Sequence, residues 1–302
     1  MAQDPGVAVV VLNHNGAEFL MDCFGSVASS SFSSFDMVMV DNASQDHSVD
    51  LVRSEFPSVV ITRNETNLGF AEGYDRAVRS LPHDRLVLLN NDTMVDRHWL
   101  RSLVEAAGSD QRVAACASRV LLMEDPGIVD HAGGFFSLIG SGIEPGKWDR
   151  DPGTGGAPVQ VGFGSGCSLL VRRQAYLDVG GFDPWYGFYH EDVDLCWKFR
   201  MFGYSVVYVP DSIVFHHVGG GGYQGIDENP MRTYFCQKNR LANMIKNLGV
   251  PNLLKGMVAS CVYDILRIGR FASRKRMDLL AAVFRGYGDA LSRLPELLRQ
   301  RR

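Results

Sequence analysis

The sequence predicts an α/β protein: a mostly parallel sheet flanked by helices, followed by a C-terminal helical extension. Three observations carry this. Over the first 120 residues, short β-rich apolar runs alternate with helical stretches, the signature of a sheet with helices on both faces. Three of those runs end in polar clusters rich in Asn and Asp. Beyond Met231 the periodicity is helical throughout. The 302 residues suffice for one large domain plus a helical appendage, and we expect a division into 1–230 and 231–302.

Residues 7–12 form a continuous apolar run that stops at Asn13-His14-Asn15-Gly16. Phe19, Cys23 and Val27 follow at helical spacing. Residues 37–40 make the next strand, closed by Asp41-Asn42, and residues 59–62 another. A helix is expected over 70–81 and a fourth strand over 86–89, ending in Asn90-Asn91-Asp92. Open α/β sheets bind ligands at the C-terminal edge of their strands, so three polar clusters there predict a site. Between 125 and 161 the pattern dissolves into Gly- and Pro-rich sequence, read as a long loop. Order returns with a Gly-rich start and an apolar strand over 162–172. An aromatic-rich segment over 183–189 precedes a helix over 191–202. Strands are expected at 206–209 and 213–215, the latter ending in His216-His217 before a flexible stretch at 219–222. Helices follow, with later ones beginning near Asn252 and near Met277, separated by Arg274-Lys275-Arg276.

The net charge of −4 conceals an uneven distribution. From Met231 to Arg302 there are 15 Lys/Arg against 4 Asp/Glu, about +11, which leaves about −15 on the rest. A basic tail on an acidic body fits an anionic surface such as phospholipid headgroups, or equally a helix with solvated arginines. Leu279, Val283, Leu291, Leu294, Leu297 and Leu298 beside Arg285, Arg293 and Arg299 give an amphipathic pattern. It suits a helix at an interface or one packed on a core. Nucleic acid is not expected, because no basic-aromatic motif accompanies the charge. The six cysteines are scattered with no CxxC pair, which argues against a zinc ribbon or a disulfide scaffold and for a reducing compartment. The first residues lack a basic n-region, so the run after them is expected to be a core strand rather than a signal peptide. No apolar run reaches the length of a membrane span.

Two constellations carry chemistry. Asp92 closes a strand and can reach a divalent cation that bridges two phosphates; His216 closes a later strand and can offer an imidazole to the same ion. Glu191-Asp192-Val193-Asp194 puts three carboxylates in the first turn of a helix, where they favour the macrodipole. Before them stand His190 and the aromatics Trp185, Tyr186, Phe188 and Tyr189, whose faces suit sugar rings. A carboxylate there is placed to act as a general base.

In order along the chain stand Val9-Val10-Val11-Leu12-Asn13-His14-Asn15-Gly16, Val40-Asp41-Asn42-Ala43-Ser44, Asn67-Leu68-Gly69-Phe70-Ala71 and Leu88-Leu89-Asn90-Asn91-Asp92-Thr93. Gly180-Gly181-Phe182-Asp183 then runs on to Glu191-Asp192-Val193-Asp194-Leu195. This series resembles glycosyltransferase family 2, and within it a bacterial rhamnosyltransferase-like branch, over roughly residues 6–250. The ordered series is specific; any single motif is not. The resemblance implies a GT-A fold of the nucleotide-diphospho-sugar transferase type, a UDP- or dTDP-sugar donor, a divalent metal (Mn²⁺ or Mg²⁺) and inversion at the anomeric carbon. It also implies a saccharide or lipid-linked acceptor in cell-envelope or polysaccharide synthesis, and a cytoplasmic enzyme, peripheral on the inner face of the cell membrane if its tail binds lipid. By position, Asp41 would hold the nucleobase, Asn13 would line the base pocket, and Asn67 would sit near the ribose or diphosphate. Asn90, Asn91 and Asp92 would stand where the family has its DxD-type motif, with Asp92 and His216 as metal ligands. Asp192 would be the general base with Glu191 beside it.

Two departures matter. The first DxD position is Asn90, which leaves Asp92 as that motif's one charged ligand, and Glu72-Gly73-Tyr74-Asp75 replaces the usual Gly-Asn-Asn after Ala71. A nicotinamide dehydrogenase needs a Gly-rich turn after the first strand, and a nucleotidyltransferase typically a basic Gly-rich one; neither is present. A catalytically degenerate sugar-nucleotide-binding protein would lose the base or the metal ligands, whereas Asp92, Asp192 and His216 are all here.

Overall fold

The structure is a computed structural model, and it describes residues 6–153, 155–218 and 229–301. The first half reads β1 (Val7–Asn13), α1 (Ala17–Ala28), β2 (Phe35–Asp41), α2 (Ser48–Glu55), β3 (Val60–Arg63), α3 (Gly69–Ser80), β4 (Arg85–Asn90), β5 (Thr93–Val95) and α4 (Trp99–Gly108). Next come β6 (Val113–Leu122), β7 (Val129–His131), β8 (Phe135–Phe136), β9 (Gly142–Ile143), β10 (Val159–Val161), β11 (Ser168–Arg172) and α5 (Arg173–Asp178). A 3₁₀ turn (Pro184–Tyr186) leads into α6 (Glu191–Met201) and β12 (Ser205–His216). Four helices close the chain: α7 (Pro230–Asn247), α8 (Val250–Ser273), α9 (Met277–Ser292) and α10 (Leu294–Arg299).

The main sheet has the order β10-β12-β6-β11-β4-β1-β2-β3. β3, β2, β1 and β4 are parallel neighbours, and β11 runs against β4 and β6. The sheet is therefore mixed rather than parallel throughout, because β11 enters between two strands that share a direction. The two strands expected at 206–209 and 213–215 are one strand, β12, with a register shift between Val209 and Ile213. The expected loop over 125–161 contains β7 to β10, strands of two or three residues that are too short to leave a period. The expected stretch at 219–222 lies outside the described residues.

β1 shows why an unbroken apolar run forms a strand here. Ala8 and Val10 enter one core and Val7, Val9 and Val11 the other, so both faces of the sheet are covered. α1, α2 and α4 cover one face through Leu20, Phe24, Val52 and Trp99. α3, α5 and α6 cover the other through Tyr74, Tyr176 and Leu195. Leu241, Ala242, Met244 and Leu248, in and just after α7, join that second core, each large side chain contributing about 1.5–3 kcal/mol by burial.

The amphipathic pattern of the last helices is divided between packing and exposure. Leu279, Val283 and Leu297 are buried, whereas Leu291 and Leu298 are exposed. Among the described residues, no helix is long and apolar enough to cross a membrane.

Candidate active site

A cleft of about 890 Å³ opens at the C-terminal edge of β1, β4 and β12. Asn13, Asn67, Asn90, Asn91, Asp92, Glu191, Asp192 and His216 all line it. Asp41 does not. Its side chain is fully buried, bonded to the Arg63 guanidinium at 3.1 Å and to the Ser44 backbone N–H at 3.2 Å. β2 places this residue behind the cleft wall instead of on it.

The wall at the ends of β1, β2 and β4 is closed upon itself. Asn13 donates from Nδ2 to Ser44 Oγ at 3.1 Å, and its Oδ1 accepts from Asn91 Nδ2 at 2.8 Å. Asn42 accepts from Asn64 and donates to the Gly69 carbonyl. Asn67 Oδ1 accepts the Gly69 N–H and leaves its amide group exposed at the rim. Gly16 permits the crossing between β1 and β4, since a Cβ there would lie 2.1 Å from Asn91 Nδ2 and 2.7 Å from Asn13 Oδ1. The departing segment after Ala71 is structural. Glu72 pairs with Arg76, Tyr74 bonds the Leu89 carbonyl, and Asp75 holds Arg79 and the Tyr176 hydroxyl.

The opposite wall is not closed. His216 Nδ1 lies 2.8 Å from Asp130 Oδ2 and donates to it, since a carboxylate only accepts. That fixes the tautomer and turns Nε2 toward Asp92 Oδ1, 3.5 Å away. Asp92 Oδ1 is buried with no hydrogen-bond partner. Two electron-rich atoms facing each other call for a proton or a cation between them. Burial opposes charge on His216, yet Cys167, Asp130 and Asp92 push the imidazole well above the usual histidine range. A divalent cation fits this place. One carboxylate and one imidazole leave most of its coordination sphere to phosphate oxygens and water, as hard cations shared with a substrate prefer. Among the described residues no group of three His, Cys, Asp or Glu forms a self-sufficient metal site.

Glu191 and Asp192 open α6. Asp192 accepts the Gly166 N–H at 3.0 Å and the Val193 N–H at 2.7 Å, bonds that favour its charged form. Glu191 is buried, and its Oε2 has no partner. Burial, then the neighbouring Asp192, push Glu191 well above the usual carboxylate range; burial also raises Asp192. The geometry thus makes Glu191 the proton holder of the pair and Asp192 the carboxylate. Asp194, the third acid, has a different task. It bonds Lys198, Lys246 and Asn247, and despite burial those lysines hold it far below the usual range. It ties α6 to α7.

The approach to α6 is strained. Gly187, Tyr189 and His190 all have φ between 64° and 69°, a left-handed conformation costly for the last two. α7 holds them there. Asn239 Nδ2 lies within 3.0 Å of the carbonyls of Tyr186, Phe188 and Tyr189. Asn243 accepts the Tyr186 hydroxyl at 2.5 Å and reaches the His190 carbonyl at 3.4 Å.

Sequence reasoning missed Asp130, Asn239 and Asn243. It also missed the buried His131, which bonds Glu144 at 2.7 Å and accepts the Ser165 N–H at 3.0 Å. Asp130-His131 within Val129-Asp130-His131 was the available signal, a paired acid and imidazole inside apparent loop.

Residues 8–180 match the profile of glycosyl transferase family 2. The chain belongs to that family. It is 28% identical over 233 residues to the N-acetylglucosaminyl-diphospho-decaprenol L-rhamnosyltransferase of Mycobacterium tuberculosis, covering 69% of this chain and 75% of that relative. The fold is similar to the mannosyltransferase PcManGT of Pyrobaculum calidifontis, solved with GDP-Man and Mn²⁺, at a TM-score of 0.62 and 17% identity, covering 96% and 89% of the two chains. It is also similar to TarS 1–349 of S. aureus, solved with UDP-GlcNAc, at a TM-score of 0.63 and 13% identity, covering 98% and 83%. These likenesses show a GT-A fold, with its glycosyltransferase sheet and a set of C-terminal helices.

Proposed function

We propose that this family 2 glycosyltransferase moves a sugar, with rhamnose the leading candidate, from a UDP- or dTDP-sugar to a hydroxyl of a saccharide on a lipid-linked or other acceptor. Transfer proceeds with inversion and serves cell-envelope or polysaccharide synthesis. Residues 1–230 form the catalytic body; the basic helical extension, 231–302, meets an anionic membrane, on the inner face of the cell membrane. One observation carries the reading: the paired acids of α6 and the Asp92–His216 pair, each with a buried oxygen lacking a partner, face the same cleft.

In this mechanism Asn13, Asn67, Asn90 and Asn91 shape the nucleotide end, and Asp41 acts from behind, fixing Ser44 and Arg63. Asp92 and His216 would hold a divalent cation, Mn²⁺ or Mg²⁺, which would supply positive charge to the departing diphosphate. Asp130 keeps the His216 lone pair turned toward that position. Asp192 takes the proton from the acceptor hydroxyl, which attacks the anomeric carbon on the face opposite the diphosphate. Glu191, holding its own proton, keeps a second negative charge away from that nucleophile.

The test is a panel of UDP-, dTDP- and GDP-sugars, scored for binding and for hydrolysis with Mn²⁺ present. Binding and turnover of one donor, abolished by thorough chelation and restored by Mn²⁺ or Mg²⁺, is expected. Donor binding without turnover on any acceptor would instead identify a sugar-nucleotide-binding protein.

A further inference from the structure

α8 is folded with its polarity inverted. The residues it buries are Gly256, Ser260, Asp264 and Phe271, small or polar in three of four cases. Asp264 is paired with the buried Arg240, and Ser260 bonds the same guanidinium, so this inward stripe is a polar latch onto α7. The outward face carries Val250, Leu254, Met257, Val258, Val262, Ile265 and Leu266, with Val258 68% and Leu266 69% exposed. Between Met257 and Leu266 the exposed positions bear no charge at all. A soluble surface helix presents the opposite arrangement, and an apolar strip this long marks a contact surface.

We propose that this face of α8 lies on an anionic phospholipid surface, with its side chains in the headgroup–acyl boundary. The inference rests on the membrane placement proposed above and names the surface that makes it. Three observations select lipid over another protein. From Val250 to Met277 there are six Lys/Arg and one acid, Asp264, which is buried. Lys255 near one end and Lys275 just past the other are exposed, so the strip is apolar in the middle and cationic at its ends. That pattern matches anionic headgroups above an acyl layer, and it offers a second copy of the chain no exposed acid on this helix to pair with.

The second observation is length. α8 is long enough to lie across headgroups, but neither it nor any other described helix is apolar enough to span, so an in-plane position remains. The third is continuity with the cleft. A Cβ on Gly256 would lie 2.2 Å from the Leu138 carbonyl, so the β8–β9 hairpin rests on α8. Its Phe135, Leu138 and Ile143 are exposed, and Gly142 and Glu144 at its far end line the cleft. The hairpin thus links the buried stripe of α8 to the cleft rim, so a lipid-bound α8 would hold the acids of α6 near the lipid surface.

The test uses the full chain and flotation with vesicles of phosphatidylcholine alone or with phosphatidylglycerol added. Val258→Glu and Leu266→Glu place charge at two exposed positions away from the cleft. Wild-type protein should float with the anionic vesicles. The double variant should lose at least about tenfold in partitioning, with an unchanged melting temperature and unchanged hydrolysis of the donor. A wild-type chain that does not float overturns the membrane placement as a whole. Flotation that survives both substitutions overturns only the assignment to α8. Equal flotation on phosphatidylcholine alone overturns the role of the cationic ends. A dimer in sedimentation that both substitutions dissolve, without vesicle binding, assigns the face to a second copy and overturns the proposal.

Discussion

The two walls of the cleft differ in how their polar atoms are used. At the ends of β1, β2 and β4, Asn13, Asp41, Asn42, Ser44 and Asn91 bond one another or the backbone. Where α6 and the end of β12 face the segment just past β4, Glu191 Oε2 and Asp92 Oδ1 are buried and unmet. Buried polar groups are satisfied as a rule, and the exceptions cost stability. The first wall is therefore a finished scaffold that gives shape, and the second keeps groups still open to a partner.

The sharpest way to break this comparison is Asp192→Asn. We expect turnover to fall by about 10²–10⁴-fold while donor affinity in calorimetric titration stays within about twofold. A variant retaining a tenth of wild-type turnover would remove Asp192 from the role of base. Asp130→Asn comes next. It leaves Asp92 and His216 in place but loosens the His216 tautomer, and should cost about 10–100-fold in activity. Part of that loss should return at higher Mn²⁺, seen as a shifted activation midpoint; an unshifted midpoint denies Asp130 that function.

The pH profile sharpens the comparison further. A base with a raised pKa keeps its proton to higher pH, so activity should disappear on acidification at a pH above the ordinary carboxylate range. Glu191→Gln replaces a protonated acid with a neutral amide of the same shape and should leave that acid limb in place. A limb that moves would show that Glu191 carries charge beside Asp192. The smallest catalytic effect belongs to the finished wall. Asn13→Ala strips two bonds, the one it donates to Ser44 and the one it accepts from Asn91, and should cost about 1–3 kcal/mol of stability in urea unfolding. Turnover measured well below the melting temperature should change far less than for Asp192→Asn; equal losses would mean that both walls are catalytic.

The finished wall was the more legible one. β1, β2 and β4 announce themselves as apolar runs closed by Asn and Asp, because a strand buried on both faces leaves a continuous signal and its end must turn polar. Asp92, Asp192 and His216 followed from the same logic, one at the start of a helix and two just past or at strand ends. Asp130 was hidden because β7 is three residues long, below any period. Asp41 was legible as a strand end, but its burial behind Arg63 depends on a partner 22 positions away. Asn239 and Asn243 were hidden for a different reason. On α7 they read as ordinary polar helix positions, yet Gln237, Lys238, Asn239, Arg240, Asn243, Lys246 and Asn247 are all buried, because the surface they meet is made of exposed carbonyls and acids rather than hydrocarbon. α8 is the reverse case, since its apolar residues stand outside.

The clamp that Asn239 and Asn243 place on the Gly187–His190 backbone sets an order of events during synthesis. Every strand of the sheet leaves the ribosome before α7 does. Roughly fifty residues separate Glu191 from Asn243, so at about 5–20 residues per second the loop waits roughly 3–10 s for its fastening. In that interval the sheet and the carboxylates of α6 are already made while the backbone leading to them is still unfastened, so the clamp is among the last parts of the cleft to be set.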